Sequence, residues 1–256
     1  MSVRRTLLVA LVALAGILPL AADIGAPPAL PIKNAPYNGK FTFARISFQP
    51  ARWGPGNYEW GLDLGWNHDY PRSDSHFVKI LKETTSIDPS ADAVILGFDD
   101  SELFKYPFAY VSEPGRWALN ENEATGLRAY LQKGGFVMFD DFLARDFANL
   151  ESIMRQALPE ARFLEVPLSH PIWDSFFKIA DPPRQHPYPQ LARGIASSYL
   201  GIFEDNDPSK RLLAIADYNN DISEYWEWSD TGLLPIDLSN EAYKVGVNYV
   251  VYSMTH

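Results

Sequence analysis

The chain has 256 residues, 46% of them hydrophobic, with 22 basic against 32 acidic side chains and no cysteine. That composition suits one folded domain with a sizeable core, and the net charge of −10 opposes binding to nucleic-acid phosphates. Without cysteine there are no disulfides, no thiolate metal sites and no thiol catalysis.

Arg4 and Arg5 precede the uncharged run Thr6–Leu20, and Ala21 and Ala22 follow it. This is the order of a secretory signal peptide over residues 1–22, so export to the periplasm or cell envelope is expected. The apolar run is shorter than the roughly 20 residues that span a bilayer, which leaves an uncleaved anchor as the lesser alternative and the only expected membrane contact. Residues 23–40 carry Pro27, Pro28, Pro31 and Pro36 and read as a linker or extended arm.

A single α/β domain is expected over residues 41–256. Phe41–Phe48 is the first strand, because β-branched and aromatic residues cluster there without a breaker. The following segment, Gln49–Arg72, is rich in glycine and aromatics, including Trp53, Tyr58, Trp60, Trp66 and Tyr70. A loop of that length is either a binding element or a cover for one sheet edge. Ser73 or Asp74 can cap a helix with Phe77, Ile80 and Leu81 on one stripe.

Ala93–Phe98 and Phe108–Val111 follow as strands, with Asp99, Asp100 and Ser101 able to start a short helical turn between them. Asn120 caps the next helix and Glu123 is placed as its capping-box partner. Gly134 then stops that helix in a left-handed cap. Phe136–Phe139 is apolar throughout, as in a central strand covered on both faces, and ends in Asp140 and Asp141. Asn149–Leu158 reads as a helix and Arg162–Val166 as a short strand. Ser198–Phe203 and Leu212–Ala216 form a hairpin, and Ser239 caps the last helix, with Val245, Tyr249 and Tyr252 on one face. Strands alternating with helices imply a parallel, right-handed sheet.

Three constellations carry candidate ligand-binding residues. Asp140 and Asp141 end a buried strand, where open α/β sheets keep their ligands. Adjacent strand residues point to opposite faces, so one carboxylate is expected at the crevice and the other as a cap. Asp99 raises the same question, and shares the crevice if its strand neighbours that of Asp140. His68, Asp69 and His76 form the second group, in no helical metal-binding spacing. The third is Tyr218–Trp228, in which Asn219, Asp221, Glu224, Trp226 and Glu227 mix polar groups with indoles, as sugar sites and buried structural networks both do. His170 and His186 lie in the proline-rich stretch Pro167–Gln190. No cofactor and no metal set is expected from these spacings.

Eight short pieces form a pattern over Phe41–His256. Phe41-Thr42-Phe43-Ala44-Arg45, Asp69-Tyr70-Pro71, Tyr106-Pro107-Phe108 and Leu127-Arg128-Ala129-Tyr130-Leu131 before Gly134-Gly135 come first. His170-Pro171, Tyr218-Asn219, Trp226-Glu227-Trp228 and Gly246-Val247-Asn248-Tyr249 with Thr255-His256 complete it. Together they resemble the bacterial domain-of-unknown-function family 4159. The resemblance implies a branch of the class I glutamine amidotransferase-like folds: a three-layer, flavodoxin-like, mostly parallel sheet with a C-terminal hairpin and helix. Relatives in that group use a cysteine on a strand-to-helix elbow, which this chain lacks. Larger family members join such a domain to membrane segments and von Willebrand-type modules, in settings with MoxR-type ATPases, which implies an envelope-associated assembly role.

The expected function is therefore a non-enzymatic binding or scaffold domain of the envelope, with an unidentified envelope protein or small ligand as partner. A cysteine-independent, metal-assisted hydrolase using Asp69, Asp140, His170 or Asp221 is one alternative. A carbohydrate-binding domain built on the tryptophan-rich segments is the other.

Overall fold

The computed structural model describes residues 34–51 and 64–256. The signal peptide, most of the linker, and Trp53, Tyr58 and Trp60 lie outside the described residues.

Seven strands form: β1 (Ala44–Ile46), β2 (Val94–Leu96), β3 (Phe108–Ser112), β4 (Phe136–Asp140), β5 (Phe163–Glu165), β6 (Ser198–Phe203) and β7 (Leu212–Tyr218). They make one sheet in the order β2-β1-β3-β4-β7-β6-β5. Neighbours from β2 to β7 run parallel, and β6 is antiparallel to both β7 and β5. The apolar run of β4 thus occupies the middle of the sheet. The expected hairpin is β6–β7, and its second strand also extends the parallel sheet by pairing Phe139 with Ala216.

Six α-helices accompany the strands among the described residues: α1 (Arg72–Thr84), α2 (Glu121–Gln132), α3 (Phe147–Ala157), α4 (Pro189–Ala192), α5 (Ile222–Glu227) and α6 (Ile236–Thr255). Strand side chains alternate between two cores. On one face Tyr110, Phe136 and Met138 pack with Phe77 of α1, Trp226 of α5 and Tyr249 of α6. On the other, Val111, Val137 and Phe139 meet Leu127 of α2 and Leu150 and Ile153 of α3. No helix among the described residues is long and apolar enough to cross a membrane.

Local signals hold where the partner is local. Asn120 accepts the backbone N–H of Asn122 and Glu123, and Glu123 accepts that of Asn120 at 3.0 Å, completing the capping box. Gly134 takes φ +106° just beyond α2. Other expectations are corrected. The first strand shrinks to Ala44–Ile46, although its flanks stay buried. Neither Ser73 nor Asp74 caps α1, which starts at Arg72 after Pro71; both side chains instead bind Arg45. Ser239 lies inside α6, buried, with no partner for its hydroxyl among the described residues. The outer edge of β2 is closed by Asn34, whose carboxamide donates to the carbonyl of Ile95 at 2.7 Å and accepts its N–H at 2.9 Å. That side chain takes the place of a further strand on an otherwise open edge.

Helix α2 lies against the backbone just beyond β2 at Gly126. A Cβ there would lie 1.8 Å from the carbonyl oxygen of Phe98, a backbone atom that cannot swing away. Alanine gains about 1 kcal/mol of helix propensity over glycine, whereas overpacking a tight contact costs about 1–3 kcal/mol or more. Gly126→Ala is therefore expected to lower the urea midpoint by an amount equivalent to about 2 kcal/mol. A variant as stable as the parent would contradict this packing.

Candidate functional site

A buried arginine organises the carboxyl end of the sheet. Arg45 on β1 is fully buried, and its Nε and Nη2 bind both carboxylate oxygens of Asp74 on α1. Nη1 donates to the carbonyls of Trp66 and His68, each at 3.0 Å, and Nη2 also reaches Ser73 Oγ. The guanidinium lies 4.7 Å from the ring centre of Tyr110. Burial works against its charge, but Asp74 outweighs burial and holds its pKa above the ordinary value. One side chain thereby ties down the segment carrying His68 and Asp69.

Asp140 ends β4 fully buried and accepts the backbone N–H groups of Ile222 at 2.9 Å and Ser223 at 2.8 Å. It caps α5, a helix 82 residues further along, rather than the segment that follows it. Burial nonetheless lifts its pKa to about 6, with those N–H bonds opposing the rise. Tyr110 donates to Ser223 Oγ at 2.7 Å, and Ser223 donates in turn to Asp69 Oδ2 at 2.8 Å. Asp221, the residue preceding α5, caps it locally, accepting the Glu224 N–H at 3.0 Å.

Asp141 follows with φ 56°, and so escapes the alternation of the strand. Its Oδ2 accepts from Ser112 Oγ at 3.2 Å. Asp69 at φ 62°, Glu113 at φ 45° and Asn219 at φ 54° share this left-handed backbone at the same end of the sheet. Such residues are uncommon outside glycine and concentrate at functional sites.

These elements bring two sets of cation-capable side chains together: His68, Asp69 and Asp141, and Asp69, Asp221 and Glu224. Within each set the ligand atoms lie within 4.8 Å of one another. Of these, His68, Asp141, Asp221 and Glu224 line a cleft of about 720 Å³, together with Arg116, His186 and Tyr188. Tyr188 donates its hydroxyl to Glu224. Burial raises Asp141 and Asp221 well above the ordinary carboxylate range, with Glu113 adding to the rise at Asp141 and Asp141 adding to it at Asp221. Glu224 is raised mainly by burial too. Carboxylates this close repel when ionised, and a hard divalent cation with oxygen and imidazole ligands relieves that repulsion.

The other candidates separate. Asp99 is exposed beyond β2, and β1 and β3 lie between its strand and β4, so it does not share the crevice with Asp140. His170 packs on Phe203 and Tyr252 by the start of β7, at the opposite end of the sheet, and accepts the N–H of Ile172. Asn219 is a brace, accepting from the Ala144 N–H and donating to the Ile195 carbonyl. Trp226 is fully buried, 4.5 Å from Phe77, so no sugar face can stack on it. Glu227 ends α5 half-buried, its pKa pushed up to about 7 by burial and then by the charges of Asp69 and Glu224. Sequence reasoning missed Arg45, Tyr110, Glu113, Tyr188 and Ser223; a charged residue inside an apolar strand was the available signal for Arg45.

A family model described as a domain of unknown function, DUF4159, matches residues 43–254. The chain belongs to this family. All seven strands and the whole acid cleft of this DUF4159 member fall inside the match. No curated protein matches the chain.

Removing one partner of a buried ion pair costs about 3–5 kcal/mol, whereas replacing both with apolar residues is often neutral. Arg45→Met is expected to lose about that much in urea unfolding, and Arg45→Met combined with Asp74→Leu to recover a large part of it. An unchanged midpoint in the single variant would refute the anchoring role.

Burial lowers the pKa of His170 from 6.5 to about 4. Between those values the unfolded chain binds a proton that the folded chain does not, so this group's contribution to stability falls as pH drops through that window. His170→Asn keeps an acceptor for the Ile172 N–H. Between about pH 7 and about pH 5 it should lose less of its urea midpoint than the parent. Equal losses would show that His170 takes up its proton in the fold.

Proposed function

We propose that this protein is an exported, non-enzymatic binding domain of the cell envelope whose ligand site is the acid cleft, with a divalent cation as part of that site. The convergence of His68, Asp141, Asp221 and Glu224 on the shared carboxylate of Asp69 carries the reading. The parallel strands β2-β1-β3-β4-β7 follow the 2-1-3-4-5 order of flavodoxin-like sheets, which bind ligands at their carboxyl ends. Helix packing on both faces supports the same three-layer arrangement. Within an amidotransferase-like branch the missing cysteine favours binding over catalysis, and the N-terminal pattern of Arg4, Arg5 and Thr6–Leu20 favours export.

A metal-assisted hydrolase is the second reading. It is favoured by Glu224, a carboxylate of raised pKa on the same cleft, where it suits a general base beside a cation-bound water.

Calorimetric titration of the mature protein with Ca²⁺, Mg²⁺ and Mn²⁺ tests the cation. Saturable binding of at least one ion is expected, with a rise in Tm that reaches about 2.7 kcal/mol of added stability at a hundredfold excess over Kd. Asp69→Asn should weaken that binding at least tenfold. No heat and no Tm shift with any of the three ions would sink the proposal.

A further inference from the structure

We infer that a second pocket, at the amino end of β7 and apart from the acid cleft, binds a small oxyanion such as phosphate or a carboxylate. A hollow of about 580 Å³ lies there, walled by Lys210, Arg211, His170, Tyr252 and His256 together with three prolines. It shares no lining residue with the acid cleft. No acidic side chain lines it, although the chain carries 32 acidic residues against 22 basic ones. The wall therefore offers donors and apolar rings.

Three of those donors keep hydrogen-bonding capacity that the fold does not use. Arg211 is half-buried, and its guanidinium donates to the carbonyls of Gly135 at 3.2 Å and of Leu131, both neutral acceptors just at the end of α2. It has no ion-pair partner among the described residues, burial works against its charge, and its other N–H groups remain available. His170 is 5% exposed, and its Nδ1 accepts the Ile172 N–H at 3.2 Å, which puts the ring proton on Nε2. Among the described residues no acceptor takes that proton, and Nε2 is not sealed in the core, so it is open to the hollow that His170 lines. The Tyr252 hydroxyl accepts the Leu212 N–H at 2.9 Å, and its own proton has no acceptor among the described residues.

Charge selects the class of ligand. Lys210 is exposed and paired with Asp205 at 2.6 Å, so the uncompensated positive charge at the hollow rests on Arg211. A metal cation would meet no carboxylate there, and an apolar molecule would leave the donors without acceptors. A guanidinium held in place by two carbonyls, beside an imidazole N–H and a phenolic hydroxyl, is a donor set that phosphate or carboxylate oxygens satisfy. The ring of Tyr252 is itself fixed between His170, at 5.5 Å, and His256, which stacks on it at 4.4 Å.

Nuclear magnetic resonance titration of the ¹⁵N-labelled protein with inorganic phosphate, and separately with succinate, tests the site at an ionic strength held constant with sodium chloride. Saturating shifts at the ring nitrogens of His170 and the backbone around Arg211 are expected with at least one of the two. Phosphate alone would assign a phosphoryl ligand, and succinate alone a carboxylate. Arg211→Gln should weaken that binding about tenfold or more, the loss of a hydrogen bond to a charged group. Saturation with neither anion, or the same shifts with chloride alone, overturns the site. Saturating shifts confined to other basic residues, such as Arg72, overturn its placement. Because Arg211 also holds the end of α2, a variant that fails to fold by circular dichroism is replaced by His170→Phe, which keeps the aromatic packing and removes the Nε2 donor. Parental affinity in either folded variant overturns the donor set.

Discussion

The guanidinium of Arg45 is held in a strand with no access to water, and the segment from Trp66 to Asp74 is arranged around its satisfaction. Desolvating a cation there costs several kcal/mol, which an ion pair offsets only when the geometry is good and the remaining donors are occupied. Asp74 takes Nε and Nη2 together, Ser73 takes Nη2 again, and two backbone carbonyls take Nη1. Those carbonyls belong to Trp66 and His68, so the demand of the arginine for acceptors also sets the path of the chain that delivers Asp69.

The same end of the molecule then gathers carboxylates under two different regimes. Asp140 and Asp74 are consumed by the fold: one accepts the first amides of α5 and the other neutralises Arg45. Asp69, Asp141, Asp221 and Glu224 are only partly consumed, each accepting from a hydroxyl or an amide while keeping an oxygen at or near the cleft. Burial and mutual repulsion raise the pKa values of Asp141 and Asp221. Folding therefore gathers carboxyl groups where their ionisation is disfavoured, a setting in which a bound cation would favour the charged form.

What was legible in the sequence divides along the separation of interacting residues. The capping box of Asn120 and Glu123 closes over three residues, and the run Phe136–Phe139 carries its burial in its own composition. Both were read directly. The partners that build the site are Arg45 with Asp74, 29 residues apart, Asp140 with Ser223, 83 apart, and Asp69 with Ser223, 154 apart. No local pattern encodes those distances. Ser73, Asp74 and Ser239 show the cost of local reasoning: each looks like a helix cap, and each sits inside a helix, two of them with a buried arginine as competitor for their oxygens.

By itself the sequence determined an α/β domain of the DUF4159 family, acidic and without cysteine, with its central strand ending in two carboxylates. Apolar periodicity, caps and residue type are short-range properties, so they survive in one dimension. Only the tertiary structure decided that Asp140 is a cap, that Asp141 turns through a left-handed backbone into the cleft, and that Asp69 stands between two sets of potential ligands. Those outcomes depend on strand order and on where Arg45 pins the chain, which set distances between residues far apart in sequence.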